Sequence, residues 1–154
     1  MLIHETLLRE RTFHDVPGNS KKRVLENASE LIAGTVETLE AEEIFAGLIG
    51  RERLGSTGLG DGVAIPHCRL ENCQSVVGTL VKLPEPIDYD SIDGNPVDLL
   101  FLLLVPTEAT EEHLQTLASL AELFSQEAFR QSLRETTDAE SLYRAFVNFG
   151  SDNL

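Results

Sequence analysis

"VDLLFLLLVP", Val97 to Pro106, decides the fold. Asp98 is its only polar residue, and the run lacks the alternation of a strand that shows one face to water. It is far too short to cross a bilayer as a helix. It reads as a central strand of a sheet covered on both faces.

Working outward, "DYDSIDGNP" before it is an excursion with a turn at Asp93-Gly94. "SVVGTLVKL", Ser75 to Leu83, is a second strand, with Pro84 and Pro86 as its bounds. Val63 to Ile65 is a third, stopped by Pro66. Gly55, Gly58, Gly60 and Gly62 crowd the segment before it, which reads as a loop with left-handed backbone positions. Further upstream, Glu40 to Leu54 carries Ile44, Phe45, Leu48 and Ile49 on one side of a helix. An earlier helix, capped by Asn19 or Ser20 and stopped at Gly34, has Val24, Leu25, Ala28, Leu31 and Ile32 as its apolar side. Thr12 to Val16 forms a short opening strand that ends at Pro17-Gly18.

Downstream, Thr110 caps "EEHLQTLASLAELFSQ", whose buried stripe is Leu114, Leu117, Ala121 and Phe124. "EAFRQSLRE" and "DAESLYRAFVNF" complete the chain, the last capped by Asp138. Helices before and after short apolar strands predict a three-layer α/β domain with helices on both faces of the sheet. The 154 residues suit one domain, 1–154, without a linker or repeat.

The charge narrows the partners. Twelve basic and 26 acidic side chains give a net charge of -14, a surface that phosphate backbones and anionic membranes repel. Nucleic acid and membrane insertion are not expected; a protein with a basic face is. The N-terminus lacks a signal peptide's basic start and apolar run. Cys68 and Cys73 are the only cysteines, too few for a disulfide framework. A cytoplasmic protein with reduced thiols is the expectation.

Four histidines are present. His4 and His14 lie among polar residues and read as surface side chains. His67 follows a buried strand and the rigid Ile65-Pro66 step, which stiffens the support of its imidazole. The end of a strand in an open α/β sheet is where chemistry is usually found. His113, at about the third position of its helix, reads by itself as an ordinary polar residue of a first turn, although unpaired amides and the dipole there favour a neutral ring and attract phosphate. Arg51, Arg53 and Arg69 bracket the glycine loop and His67. A guanidinium grips phosphate oxygens at two points, although Arg51 and Arg53 also have Glu42, Glu43 and Glu52 within reach on the helix surface. Backbone amides of the glycine loop are further candidates for holding phosphate.

No metal or cofactor is expected. Cys-x4-Cys is not the usual zinc pairing, and adjacent His67-Cys68 bind one ion awkwardly. The glycine loop matches neither dinucleotide nor Walker patterns, and no Gly-x-Ser-x-Gly elbow supports a hydrolase.

"RERLGSTGLGDGVAIPHCRL", "IDGNPVDLLFLLLVP" and "EEHLQTLASL", in that order, resemble the enzyme IIA (EIIA) components of the bacterial phosphoenolpyruvate-dependent phosphotransferase system (PTS), fructose/mannitol type. "NSKKRVLE" and "RERLGSTG" point to the nitrogen-regulatory branch of that family. The likeness runs from Arg9 to about Phe149. It implies a mixed central sheet with helices on both faces. It also implies a phosphorylated histidine at His67, in Ile-Pro-His, a second active-site histidine at His113 and an active-site arginine at Arg51. The donor it implies is an HPr-like phosphocarrier (NPr). Regulatory members bind potassium-transport or sensor-kinase proteins according to phosphorylation state. Where relatives often carry glycine after the phosphorylated histidine, this chain has the larger Cys68. Two other readings stand beside this one: a sugar-specific IIA that passes phosphate to a IIB domain, and a binding module that uses the scaffold without phosphorylation.

Overall fold

The computed structural model describes residues 6–109 and 111–149. The order is β1 (Leu7–His14), α1 (Lys21–Ala33), α2 (Ala41–Glu52), β2 (Gly58–Gly60), β3 (Val63–Ala64) and β4 (His67–Leu70). Then come β5 (Val77–Ile87), β6 (Val97–Pro106), α3 (Glu111–Phe124), α4 (Glu127–Arg134) and α5 (Ala139–Asn148). The sheet runs β1-β5-β6-β3-β2, with β4 also on β6. It is mixed: β1 on β5, and β3 and β4 on β6, are parallel, whereas β5 on β6 and β2 on β3 are antiparallel.

β6 is central, as its unbroken apolar run predicts. Leu100, Leu102 and Leu104 face one core with Leu25, Ala28, Ile44 and Leu48 of α1 and α2. Leu99, Phe101, Leu103 and Val105 face the other with Leu120, Phe129, Leu133, Leu142 and Phe146 of α3, α4 and α5. Phe101 stacks on Phe146 at 5.3 Å between centroids, and Phe129 meets Phe146 edge-on at 5.6 Å, a geometry aromatic pairs favour. The chain is therefore a three-layer α/β domain.

Local signals explain most boundaries. Ser20, not Asn19, caps α1, its hydroxyl accepting from Arg23 N–H at 3.2 Å. Glu43 reaches back to Glu40 N–H at 2.9 Å at the start of α2, and Asp138 accepts from Ser141 N–H at 2.8 Å at the start of α5. The proposed cap Thr110 lies outside the described residues, as does His4.

Four expectations are corrected. β1 begins at Leu7 rather than Thr12, because pairing with β5 overrides its charged sequence. β5 runs through Pro84 and Pro86 to Ile87. The ladder with β6 breaks between Lys82 and Ile87, so the prolines occupy a bulge where no amide donor is required. Leu31 is 37% exposed and Leu114 is 63% exposed. His113, Thr116, Leu120 and Phe124 form the buried side of α3 instead.

Candidate functional site

Pro66 does not end the strand. Val63 pairs with Leu99 and Ala64 with Leu100, and three residues further on His67 pairs with Leu103. β3 and β4 are thus one strand in one register, interrupted only at Ile65-Pro66. His67 lies where the ladder resumes rather than at a strand end. The interruption remains hydrogen-bonded: Ile65 N–H donates to Thr57 C=O at 3.1 Å, and Leu103 N–H to Pro66 C=O at 2.9 Å.

The Ile65 carbonyl lies 2.7 Å from His67 Nδ1. A carbonyl only accepts, so Nδ1 carries the hydrogen and the lone pair of the neutral ring is on Nε2. Burial lowers the His67 pKa; the bond to Ile65 opposes this, and Arg51 adds to the lowering. The charge of Glu52 opposes the lowering as well, and the net effect favours the neutral ring.

His113 comes from α3, the helix packed on that face of the sheet. Its ring centroid is 5.8 Å from that of His67, with the planes tilted by 53°. The residue is buried, and its Nδ1 has no hydrogen-bond partner among the described residues. Its pKa too is lowered, by burial first, then by His67 and Arg69.

Arg51 comes from the last turn of α2 and donates from Nη1 to Gly55 C=O at 2.9 Å. It lines two grooves, of about 350 and 500 Å³, that meet at His67. One is bordered by Ser56, Thr57, Leu59 and Ala118. The other is bordered by Leu54, Cys68, Arg69, His113 and Leu114. The structure thus brings His67, His113 and Arg51 together. Arg69, two residues past His67 on the same face of the strand, joins them; exposed Arg53 lines neither groove.

The glycine loop is built differently from the expectation. Gly60 and Gly62 do take positive φ, +99° and +81°. Two of its amides, however, already have partners: Thr57 N–H donates to Glu52 at 3.1 Å and Gly58 N–H to Ser56 Oγ at 3.0 Å. They are not free to hold a phosphate. Glu52 does not neutralise Arg51 either; it pairs with Lys21 at 2.8 Å. His14 is no plain surface residue. Its side chain is 12% exposed, with Nδ1 3.0 Å from Asp15 and Nε2 3.2 Å from the carbonyl of Thr136, just past α4.

Cys68 faces away from His67, into the core under α2. Burial pushes its thiol up to about 12, so it is a packing group rather than a nucleophile or ligand. Gly47 of α2 lies against it: a methyl there would meet Cys68 Sγ at 2.8 Å and Leu70 Cδ2 at 2.9 Å. Gly47→Ala is expected to lower stability by about 1–3 kcal/mol, as overpacking does. Adding Cys68→Ala recovers part of this, since one of the two clashing atoms is removed. Urea denaturation of the single and double variants checks both signs.

Sequence reading places Glu52 on the helix surface and does not single out Lys21, Thr57 or Tyr89. They converge only in space, and a helix-end carboxylate such as Glu52 normally reads as solvated.

The family model for "Phosphoenolpyruvate-dependent sugar phosphotransferase system, EIIA 2" matches residues 5–148. The chain is 47% identical over 146 residues to a nitrogen regulatory protein of Pseudomonas aeruginosa, covering 95% of each. It superposes on the crystal structure of nitrogen regulatory protein IIA-Ntr from Neisseria meningitidis with a TM-score of 0.86 and 42% identity, over 94% of this chain and 99% of that one. IIA mannitol from Escherichia coli shares the fold, with a TM-score of 0.74 at 21% identity over 90% and 97% of the two chains.

Proposed function

The chain belongs to the EIIA 2 family of the phosphoenolpyruvate-dependent sugar phosphotransferase system, in its nitrogen-regulatory branch, and from that premise we propose that it is a phosphocarrier whose acceptor atom is Nε2 of His67. The donor is an HPr-like carrier, NPr, phosphorylated on a histidine. The observation that carries the reading is the Nδ1–H to Ile65 C=O bond of 2.7 Å, which leaves Nε2 as the nucleophile at the junction of two open grooves.

The step balances without a proton. The Nε2 lone pair forms the new N–P bond as the donor's N–P bond breaks, and the donor imidazole leaves with that electron pair. His67 then carries substituents on both nitrogens, and Ile65 C=O accepts from the more acidic Nδ1–H. Arg51 neutralises charge on the equatorial oxygens, and His113 gives an N–H across the gap between the rings.

Exposed Leu54, Leu59 and Leu114 rim the two grooves and give the carrier an apolar seat. Phosphorylation adds roughly 1.5 to 2 negative charges there. Potassium-transport or sensor-kinase targets would then read the phosphorylation state from the same face. No helix among the described residues is long and apolar enough to cross a membrane, and both thiols are free; a cytoplasmic location accords with the reading.

Incubation with phosphorylated carrier should add the mass of one phosphoryl group, and acid should remove it. No gain in mass at any carrier concentration would refute the proposal. The pH dependence has a defined sign. Because the His67 pKa is lowered, the ring remains neutral as pH falls through the ordinary value of about 6.5 and charges only below it. A ring-proton shift titration should place the His67 midpoint under that value, with the labelling rate declining over the same more acidic range. A midpoint at or above the ordinary value contradicts the assignment.

A further inference from the structure

Glu52 is adjacent to Arg51 in sequence but faces inward, its side chain 4% exposed. Its Oε1 accepts from Thr57 N–H at 3.1 Å and from Lys21 Nζ at 2.8 Å. Its Oε2 accepts from the Thr57 hydroxyl. Tyr89, wholly buried, closes the cluster. Its hydroxyl lies 3.4 Å from that of Thr57, its ring lies 4.5 Å under the Lys21 ammonium, and its carbonyl accepts from Ser56 at 2.8 Å.

A largely buried ion pair such as this is weak evidence of stabilisation, since apolar replacements of such pairs often do as well. Its connections suggest another use. Thr57, held by Glu52 at both amide and hydroxyl, offers its carbonyl to Ile65 N–H at 3.1 Å. Ile65 in turn offers its own carbonyl to His67 Nδ1 at 2.7 Å. The hydrogen-bonded chain runs unbroken from Lys21 through Glu52, Thr57 and Ile65 to the imidazole.

We propose that Glu52 is a positioning residue that acts through Thr57 and Ile65 to fix His67 as the Nδ1–H tautomer, keeping Nε2 free and aimed. The inference rests on the reading that Nε2 receives the phosphoryl group. Glu52 has no hydrogen bond to either ring; beyond its charge, which favours the protonated imidazole, it acts on the orientation of the acceptor and not on carrier binding.

Ring ¹⁵N spectra of the unphosphorylated protein and single-turnover labelling at saturating phosphorylated carrier test this together. Wild type should show one Nδ1–H tautomer. Glu52→Gln should show mixed tautomers, with transfer slowed roughly tenfold to a hundredfold, the range that small misplacements of a reacting group produce. The carrier concentration for half-maximal rate should not change. Should Glu52→Gln fail to fold, Lys21→Met, which removes the counter-charge, decides by the same two readouts. A folded variant that retains the wild-type tautomer, or that loses transfer only through weaker carrier binding, overturns the inference. If wild type itself takes no label, the phosphocarrier reading fails, while the ring spectra still decide whether Glu52 controls the tautomer.

Discussion

Replacing His67 by alanine is expected to abolish phosphorylation by a phosphorylated HPr-like carrier. No other group in the two grooves combines a free ring nitrogen, a lowered pKa and a position reachable from outside. His113 is the nearest rival, but it is 7% exposed, so an incoming carrier reaches His67 first. Cys68 is excluded by its orientation and its raised thiol pKa. The side chain of His67 contributes little to either core, so His67→Ala should fold and melt much like wild type. Intact-mass measurement after incubation with the donor should find no phosphoryl group. Label retained by the folded variant would move the acceptor elsewhere.

The second large effect is expected at His113. His113→Ala keeps the Nε2 nucleophile of His67 and should still take label. On the proposed mechanism it loses the N–H donor that serves the transferring group. Removing one such preorganised donor costs about a hundredfold to a thousandfold in rate in comparable settings. Rapid-quench labelling should therefore show the same final extent as wild type, reached far more slowly. His67 should also titrate at a higher pH in this variant if removal of His113 opens its surroundings to water. A labelling rate equal to wild type would remove His113 from the mechanism and leave charge stabilisation to Arg51 and Arg69.

Much of the architecture was legible because the strongest signals are local. The run Val97–Pro106 has no polar side for water, so it had to be central; the caps at Ser20 and Asp138 announce α1 and α5 through side chains that satisfy free amides. Misreadings arose where distant pairing outweighed local preference. Leu7–Leu8-Arg9-Glu10 became strand because β5 supplies hydrogen bonds on one side. Pro84 and Pro86 became part of β5 because a bulge asks nothing of their missing amides. Leu114 came to the surface because α3 turns His113 and Thr116 inward, a rotation that the apolar spacing alone does not fix.

The candidate site divides in the same way. Arg51, His67 and His113 belong to the short motifs that carry the family resemblance; the structure brings them to one place. The group behind them was not visible. Lys21 and Glu52 are separated by two helices in sequence, and neither differs in composition from the many charged residues of a chain with net charge -14. Only the packing of α1 on α2 seals them together with Tyr89. The reading of Pro66 as a stop was wrong for a related reason: a proline costs one hydrogen bond, and β6 is long enough to accept the strand again on its far side.

The central claim is that the phosphoryl group resides on Nε2 of His67 because Nδ1 is committed to the Ile65 carbonyl. Heteronuclear NMR of the ¹⁵N-labelled, phosphorylated protein tests it most directly, through the coupling of phosphorus to ring nitrogen. The account predicts a single phosphohistidine, at His67, coupled through Nε2, with Nδ1 still bearing hydrogen. Phosphorus on Nδ1, or on His113, would contradict it.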